Sequence, residues 1–479
     1  NHDGSVNLSL IATGSSPCTG TVTNPYTNWT TEFEVSVGAT TIINIPSNEA
    51  FSNGASDCVL NTSLHIVTSD FISLYASNFQ EFTFDVTDVL PTPSLGSNYI
   101  IQTYPGEEGR GAMVQPSSDS RSLAQGCSEF AVIAVEDNTT VYITLTCDSQ
   151  NGHYANQPFS VTLNTGECYQ VKSITDGNLS GSQISVSGNK KIAVFAGNSC
   201  ANVPTNCPYC DHIVEQMLPV SSWGNHFVVT GSSMRTYDIV RVTAASDDCQ
   251  IFINNSLVTT INERETYQFE ISSDDPSLYL ETSKPVMVYL YYVGSECAGQ
   301  MGDPSMVIIS PIEQRMDYVT FSTFNSGASQ YHFVNVITNT EDVNTVLLDG
   351  NNIASQFQTV SGNSDYSFAR VAIEHGSHTL FTFGSGFVAH VYGLGDDESY
   401  AYSVGSNAAQ ELYTNILVNG QTASDDMNVC DNTVIFDLNY NYDVSQVNWS
   451  FGDGQTGSGI PITHEFANLG DYPVSCEVY

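Results

Sequence analysis

The sequence predicts an all-β chain of tandem β-sandwich-like repeats followed by a smaller C-terminal module. Short runs of alternating apolar and polar residues succeed one another between Gly-, Asn-, Ser- and Asp-rich turns. No apolar period of 3.6 persists beyond two turns, so helix is nearly absent. One unit also recurs. In CDHIVEQMLPVSSWGNHFVVT (Cys210 to Thr230) a proline stops one strand, a turn follows, and Phe227 opens the next strand. Worn copies lie at Asp85 to Thr103, where Tyr99 follows Pro91, and at Gly302 to Phe321, where Tyr318 follows Pro311.

Taken in order, the N-terminal residues 1–23 read as an arm whose Val6, Leu8 and Leu10 alternate with polar residues, a half-buried strand. Such a strand either pairs within its own domain or adds to an open edge on a neighbouring copy. Residues 24–126 form a first β unit and end in the Gly-, Ser- and charge-rich loop Gly106 to Gly126. Residues 127–232 form a second unit, 233–325 a third and 326–409 a fourth. The late strands beginning near Ile72, Ile192, Val286 and Phe387 align between units. Their spacing of roughly 100 residues, with about seven strands each, suits Greek-key sandwiches better than propeller blades. Residues 410–479 make the smaller module.

Composition limits the partners. The 479 residues hold 41% hydrophobic residues, with 25 Tyr and 23 Phe, ample for several cores. Eleven Lys and Arg stand against 51 Asp and Glu, a formal net charge of -40. That field repels nucleic acid and anionic membranes and argues against both partners. No apolar run approaches membrane-spanning length, so no membrane insertion is expected. Twelve cysteines with scarce lysine point to an oxidising, extracellular, secreted setting. Seven sequons, at Asn7, Asn28, Asn61, Asn138, Asn178, Asn254 and Asn448, are glycosylation candidates in the same sense. The chain opens without a signal peptide, which reads as a processed or trimmed start.

Several long motifs carry a resemblance. CSEFAVIAVEDNTTV, CDHIVEQMLPVSSWG, GDPSMVIISPIEQ and YGLGDDESYAYSVGSN occur in the order seen in the N-terminal domain of the IgGFc-binding protein family, so residues 30–407 resemble that family. The C-terminal module resembles a PKD domain, an immunoglobulin-like sandwich, through Trp449-Ser450-Phe451-Gly452-Asp453-Gly454, Thr463-His464-Glu465-Phe466 and Gly470-Asp471-Tyr472. That resemblance implies that Trp449 and Phe451 fill a core while Gly452-Asp453-Gly454 makes a hairpin turn. Together the two imply modular extracellular adhesion or scaffolding. Antibody binding belongs to particular family members, and no residue here carries it over.

Candidate chemistry is sparse. Gly452 to Gly457 satisfies GxGxxG, but a strand follows where a dinucleotide site needs a helix. Cys200, Cys207, Cys210 and His212 have a zinc-like spacing, yet in a secreted chain disulfides are the better reading. Cys207 and Cys210 then pair locally or with Cys200, and Cys430 pairs with Cys476. Unit membership joins Cys249 to Cys297, Cys18 to Cys58 and Cys127 to Cys147, leaving Cys168 for the odd member of the Cys200–Cys210 cluster. Asp396-Asp397-Glu398 and Asp274-Asp275 leave calcium as the one cofactor open, with solvated acidic turns the simpler reading. Neither GxSxG nor HExxH occurs, and no catalytic residue is assigned.

The sequence therefore predicts a non-enzymatic surface protein with a structural or adhesive role. Its sharper form is a filament subunit, the strand at Val6, Leu8 and Leu10 being donated to a terminal sandwich that stops early at Tyr479. The alternative is a receptor or adhesin that takes a glycan or a host protein on its loops.

Overall fold

A computed structural model describes the chain except for residues 1–6, 53–54, 81–82, 106–125, 175–176, 189, 300, 325–328, 406–413, 424–426, 430, 441–443, 445 and 479. The chain divides into two compact units, residues 1–408 and 409–479. Both are all-β; no described helix is longer than six residues.

Within residues 1–408 the β-rich runs fold into four sandwiches. Sandwich I joins a four-stranded sheet (Thr41–Ile45, Asn7–Thr13, Ser73–Gln80, Thr83–Asp88) to a three-stranded one (Thr30–Val35, Cys18–Thr23, His65–Thr68). Sandwich II sets five strands, centred on Ser128–Ala134 and Ile192–Ala201, against four. Sandwich III is one seven-stranded sheet that closes on itself through the 16-residue strand Ser277–Tyr292. Sandwich IV sets five strands, centred on Ser329–Asn339 and Phe387–Gly395, against four.

The recurring proline motif marks each crossing between sandwiches. Pro91, Pro219 and Pro311 each precede a 3-10 turn, and the strand after the turn belongs to the next sandwich. Asn98–Ile100 joins sandwich II, Gly224–Thr230 joins III, and Tyr318–Ser322 joins IV. The unit edges drawn from the sequence at 126, 232 and 325 therefore fall one strand late. Successive copies also nest. A Cβ on Gly96 would lie 2.5 Å from Pro219, and one on Gly224 would lie 2.3 Å from Pro311. Only glycine fits against those rigid rings.

The last strands of the four sandwiches, Thr83–Asp88, Asp211–Gln216, Ser305–Ile309 and Ser399–Ser403, converge. The first packs on the second, the second on the third, the third on the fourth, and the fourth back on the first. We call these the axial strands. Closure from fourth to first is apolar: Tyr75, Phe84 and Val86 share one core with Phe324, Tyr400 and Tyr402.

Two expectations are overturned here. The strand Asn7–Thr13 is not free for donation. It pairs with Thr41–Ile45 on one edge and Ser73–Gln80 on the other, so its backbone groups are already spent. Leu10 is buried in the core of sandwich I, Leu8 packs against that core, and Val6 lies outside the described residues. The cysteine pairing also differs. Disulfides join Cys200 to Cys210 and Cys207 to Cys297, the second tying sandwich II to III. Cys297 is therefore not the partner of Cys249, whose thiol faces the Lys284 carbonyl. Cys18 and Cys58 are unbonded because they lie in different sheets, one in the core of sandwich I and the other on an edge strand of sandwich II. Cys127 and Cys147 are also unbonded, with the Cys127 thiol turned toward Ser199. Cys168 stays a buried thiol, since Cys200, Cys207 and Cys210 are all occupied. Cys430 lies outside the described residues, so its pairing with Cys476 is not assigned.

Residues 409–479 form a second, smaller sandwich of four and three strands. Trp449 and Phe451 are buried in its core with Phe436 and Phe466. His464 stacks on Phe451 at 3.9 Å between ring centroids, and its Nε2 lies 2.9 Å from Asp453 of the Gly452-Asp453-Gly454 turn.

Two outcomes are expected. Gly224→Ala should destabilise the fold by about 1–3 kcal/mol through overpacking on Pro311, measured as a lower urea midpoint. Deleting residues 1–12 should abolish cooperative unfolding, because it removes a central strand of sandwich I; a folded, soluble deletion variant would contradict this.

Candidate binding cleft and the axial acid cluster

Strand register makes positions in the four sandwiches comparable. Tyr75, Phe195, Tyr289 and His390 are equivalent, because each pairs with the axial residue of the same rank: Asp88, Gln216, Ile308 and Ser403. On the neighbouring strand the same four residues face Ile11, Ala131, Arg241 and Asn335. Two residues further along, Ser77, Gly197, Tyr291 and Tyr392 correspond.

These positions lie on the outer face that each sandwich turns toward its predecessor. At the II/III junction Met287, Tyr289 and Tyr291 are buried in the core of sandwich II. The Arg241 guanidinium stacks over Tyr104 and Tyr291, at 5.4 and 5.9 Å, and donates to the Thr103 carbonyl at 2.6 Å. At III/IV, Phe333, Tyr392 and Leu394 enter the core of sandwich III. At IV/I, Ile11, Tyr75 and Phe84 enter that of sandwich IV.

The I/II junction differs. Its outer face presents Ala131, Ile133, Ala193 and Phe195, with Gly197 where sandwiches III and IV have tyrosine. Small side chains leave it unfilled, and a cleft of about 880 Å³ opens between them and Leu8, Leu10, Leu74 and Ala76 of sandwich I. That volume is of the order that holds a drug-sized ligand or a few side chains. Phe71 stands at the cleft with 94% of its surface exposed. Asp70 and Glu129 contribute to the lining, and neither lysine nor arginine does. Two buried acceptors in the wall, Gln170 Oε1 and Asn78 Oδ1, have no hydrogen-bond partner among the described residues.

Polar groups gather instead where the axial strands meet. Thr83, Asp211, Asp303 and Glu398 occupy equivalent ranks, and all four are buried. Glu215 links three sandwiches: its carboxylate accepts from Thr87 Oγ1 at 2.6 Å and from the Ile308 amide at 3.2 Å. Ser310 and Ser403 hydroxyls meet at 3.0 Å across III and IV. His212 Nδ1 lies 2.7 Å from Asp85 Oδ2, and burial holds that histidine down at about 4. Burial pushes the carboxyls of Asp85, Asp211, Glu215 and Asp303 well up, and neighbouring carboxylates push Asp211 and Asp303 further. Asp88 is raised to about 7 by the same desolvation.

The sequence-derived candidates land as follows. The zinc-like set is dissolved, since its cysteines are disulfide-bonded and His212 turns to Asp85. Of the calcium candidates, Glu398 joins the axial cluster, while Asp275 accepts from Ser361 at 2.6 Å. Among the described residues no three His, Cys, Asp or Glu side chains are grouped to hold a metal ion. The sequons at Asn7, Asn28, Asn61 and Asn138 are exposed. Those at Asn178, Asn254 and Asn448 are half-buried, and their side-chain carbonyls already accept hydrogen bonds. The loop 106–125 lies outside the described residues. Asp211 and Asp303 each precede their motif proline by the same interval, a signal of the axial cluster present in the sequence itself.

The profile of the IgGFc binding protein family matches residues 85–393, well over half of the chain, and that of the PKD domain matches residues 419–479. The human IgGFc-binding protein is similar to this chain, 29% identical over 318 residues. The match covers 64% of this chain but 5% of the human protein, so the chain spans a small fraction of its relative's length.

The buried acids set a pH dependence. Their folded pKa values lie above the unfolded ones, so the fold holds protons that the unfolded chain releases, and stability falls as pH rises toward those values. Histidines held low by burial, such as His212, His332 and His390, oppose this below about 6.5. Between about pH 6.5 and 8 the carboxyls act alone, so the urea midpoint should drop across that window. Asp88→Asn should flatten the drop, because burial raises the Asp88 carboxyl to about 7.

Proposed function

Because this chain belongs to the IgGFc-binding protein family, we propose that it is a non-enzymatic extracellular binding module, which holds part of a protein partner in the cleft between sandwiches I and II. The observation that carries this reading is the unfilled junction. Three sister junctions bury aromatic side chains, and the fourth leaves about 880 Å³ of mostly apolar space open to solvent. Exposed apolar concavity of this kind carries a free-energy cost that a partner's side chains would offset.

Other features agree. Two disulfides and four exposed sequons fit a secreted or cell-surface setting. No helix among the described residues is long and apolar enough to cross a membrane. Self-association into a filament, the other role the sequence raised, loses its donor strand to sandwich I. Glycan recognition would need polar groups at the site, whereas the cleft wall is dominated by aliphatic side chains.

The test is occupancy. A neutral solvatochromic dye such as Nile red should brighten on binding the full chain, and Ala131→Trp, which fills the cleft, should remove most of the signal. Undiminished dye binding in a folded Ala131→Trp variant would reject the cleft as the binding site.

A further inference from the structure

We infer that an extended segment of a partner protein adds to sandwich I as an antiparallel β-strand, pairing with the open edge of His65–Thr68. This rests on the cleft between sandwiches I and II being a binding site, and it specifies how the partner is held. Sandwiches II, III and IV each complete one sheet with a strand that follows a motif proline. Asn98–Ile100 pairs with Gln183–Val186, Gly224–Thr230 with the first part of Ser277–Tyr292, and Tyr318–Ser322 with Ser377–Thr382. All three pairings are antiparallel. Each receiving segment lies just before the late strand of its sandwich, the place His65–Thr68 holds before Ser73–Gln80. In sandwich I the matching sheet runs Thr30–Val35, Cys18–Thr23, His65–Thr68 and stops. Among the described residues no strand takes the far edge, so a strand present in three sandwiches is missing from the other.

The edge is oriented to receive one. On its paired side, Ser69 donates to the Thr19 carbonyl at 2.9 Å, and Val67 faces Thr21. Alternation therefore turns the amides and carbonyls of Ile66 and Thr68 toward the open side. In the sister sandwiches, inward apolar residues meet directly across this edge: Ile184 with Tyr99, Leu280 with Phe227 and Leu380 with Val319. Those three receiving residues are fully buried, whereas their counterpart Ile66 is half-buried. Ile66 and Thr68 line the cleft together with Leu74 and Ala76 of the facing sheet. The cleft thus lies where the absent strand would sit.

The sister strands also fix the pattern of the occupant. Each buries two apolar side chains two positions apart: Tyr99 and Ile101, Phe227 and Val229, Val319 and Phe321. The partner segment carries an aromatic or β-branched residue opposite Ile66 and a second apolar residue two positions away. Main-chain hydrogen bonds hold such a segment, and its two inward side chains select it.

The probe is a capped, labelled heptapeptide with the sequence of residues 224–230, Gly-Asn-His-Phe-Val-Val-Thr, followed by fluorescence anisotropy with the full chain. Within sandwich III the Phe227 and Val229 amides face the receiving strand, in step with Gly231, which donates to the Pro276 carbonyl. N-methylation of the peptide at Phe and the second Val should weaken binding at least about tenfold. N-methylation at His and the first Val should not. Thr68→Pro removes a donor from the open edge alone, and Ile66→Lys sets a charge against the incoming apolar side chain. Either variant, if folded by near-ultraviolet circular dichroism, should lose at least about tenfold in affinity for the unmodified peptide. Equal weakening by the two methylation patterns would overturn the inference, as would unchanged affinity in the folded variants. If Nile red enters the cleft and the peptide does not bind, strand addition fails while the cleft remains a binding site. If neither binds, both readings fail.

Discussion

The fold depends on four strands meeting at one axis. Each sandwich sends its last strand there, and each of those strands must pack against two others that belong to different sandwiches. The ranks that meet are not uniformly apolar. Asp85, Asp211, Glu215, Asp303 and Glu398 are all buried around the meeting point. Carboxylates in such a place are tolerable only when they are hydrogen-bonded or carry a proton. Glu215 satisfies the condition by spanning Thr87 and the Ile308 amide, so a single side chain fixes the relative height of three strands. An apolar axis could slide by two residues and still bury its side chains. A hydrogen-bonded one has a single register, which suits a closed cycle in which an error at one junction would reach all four.

The proline motif connects that axis to the chain. Each copy ends an axial strand, turns through one 3-10 turn, and opens the next sandwich. The glycine five residues after Pro91 and Pro219 sits directly on the proline of the following copy. This is why the repeat survives in the sequence when the remainder of each unit has drifted. Proline supplies the stop and glycine the close approach, while the aromatic is buried in the first two copies (Tyr99 and Phe227) and exposed in the third (Tyr318).

Much of the fold was legible in these local constraints. Alternation identified the strands, and the proline copies gave the spacing of the sandwiches. What remained hidden was where a strand goes after the turn. Tyr99, Phe227 and Tyr318 are neighbours in sequence of one sandwich and members of another, and no local pattern distinguishes the two. The fate of Leu8 and Leu10 was hidden for the same reason. An alternating strand looks identical whether its edges are free or already paired, and here both are paired. The Cys207–Cys297 bridge crosses between sandwiches, so grouping cysteines by unit could not find it. The cleft was least legible of all. It is made by what is small, Ala131 and Ala193, and small residues in a strand announce nothing until larger ones are seen at equivalent ranks elsewhere.

The position of the cleft within the matched region bears on specificity. The family profile begins at Asp85, within the first axial strand, and runs to Gly393. It therefore includes the sandwich II wall, with Ala131, Phe195 and Gln170, and leaves out the facing wall formed by Leu8, Leu10, Phe71 and Leu74. A cleft with one wall inside the family match and one outside it can keep a common mode of entry while the second wall is altered. Changes there would not disturb the axial hydrogen bonds of Glu215, which lie on other strands. The residues that close the ring and the residues that face the cleft from sandwich I are different sets, although Leu10 and Leu74 also belong to the core of sandwich I, so changes at that wall act on the sandwich as well as on the cleft.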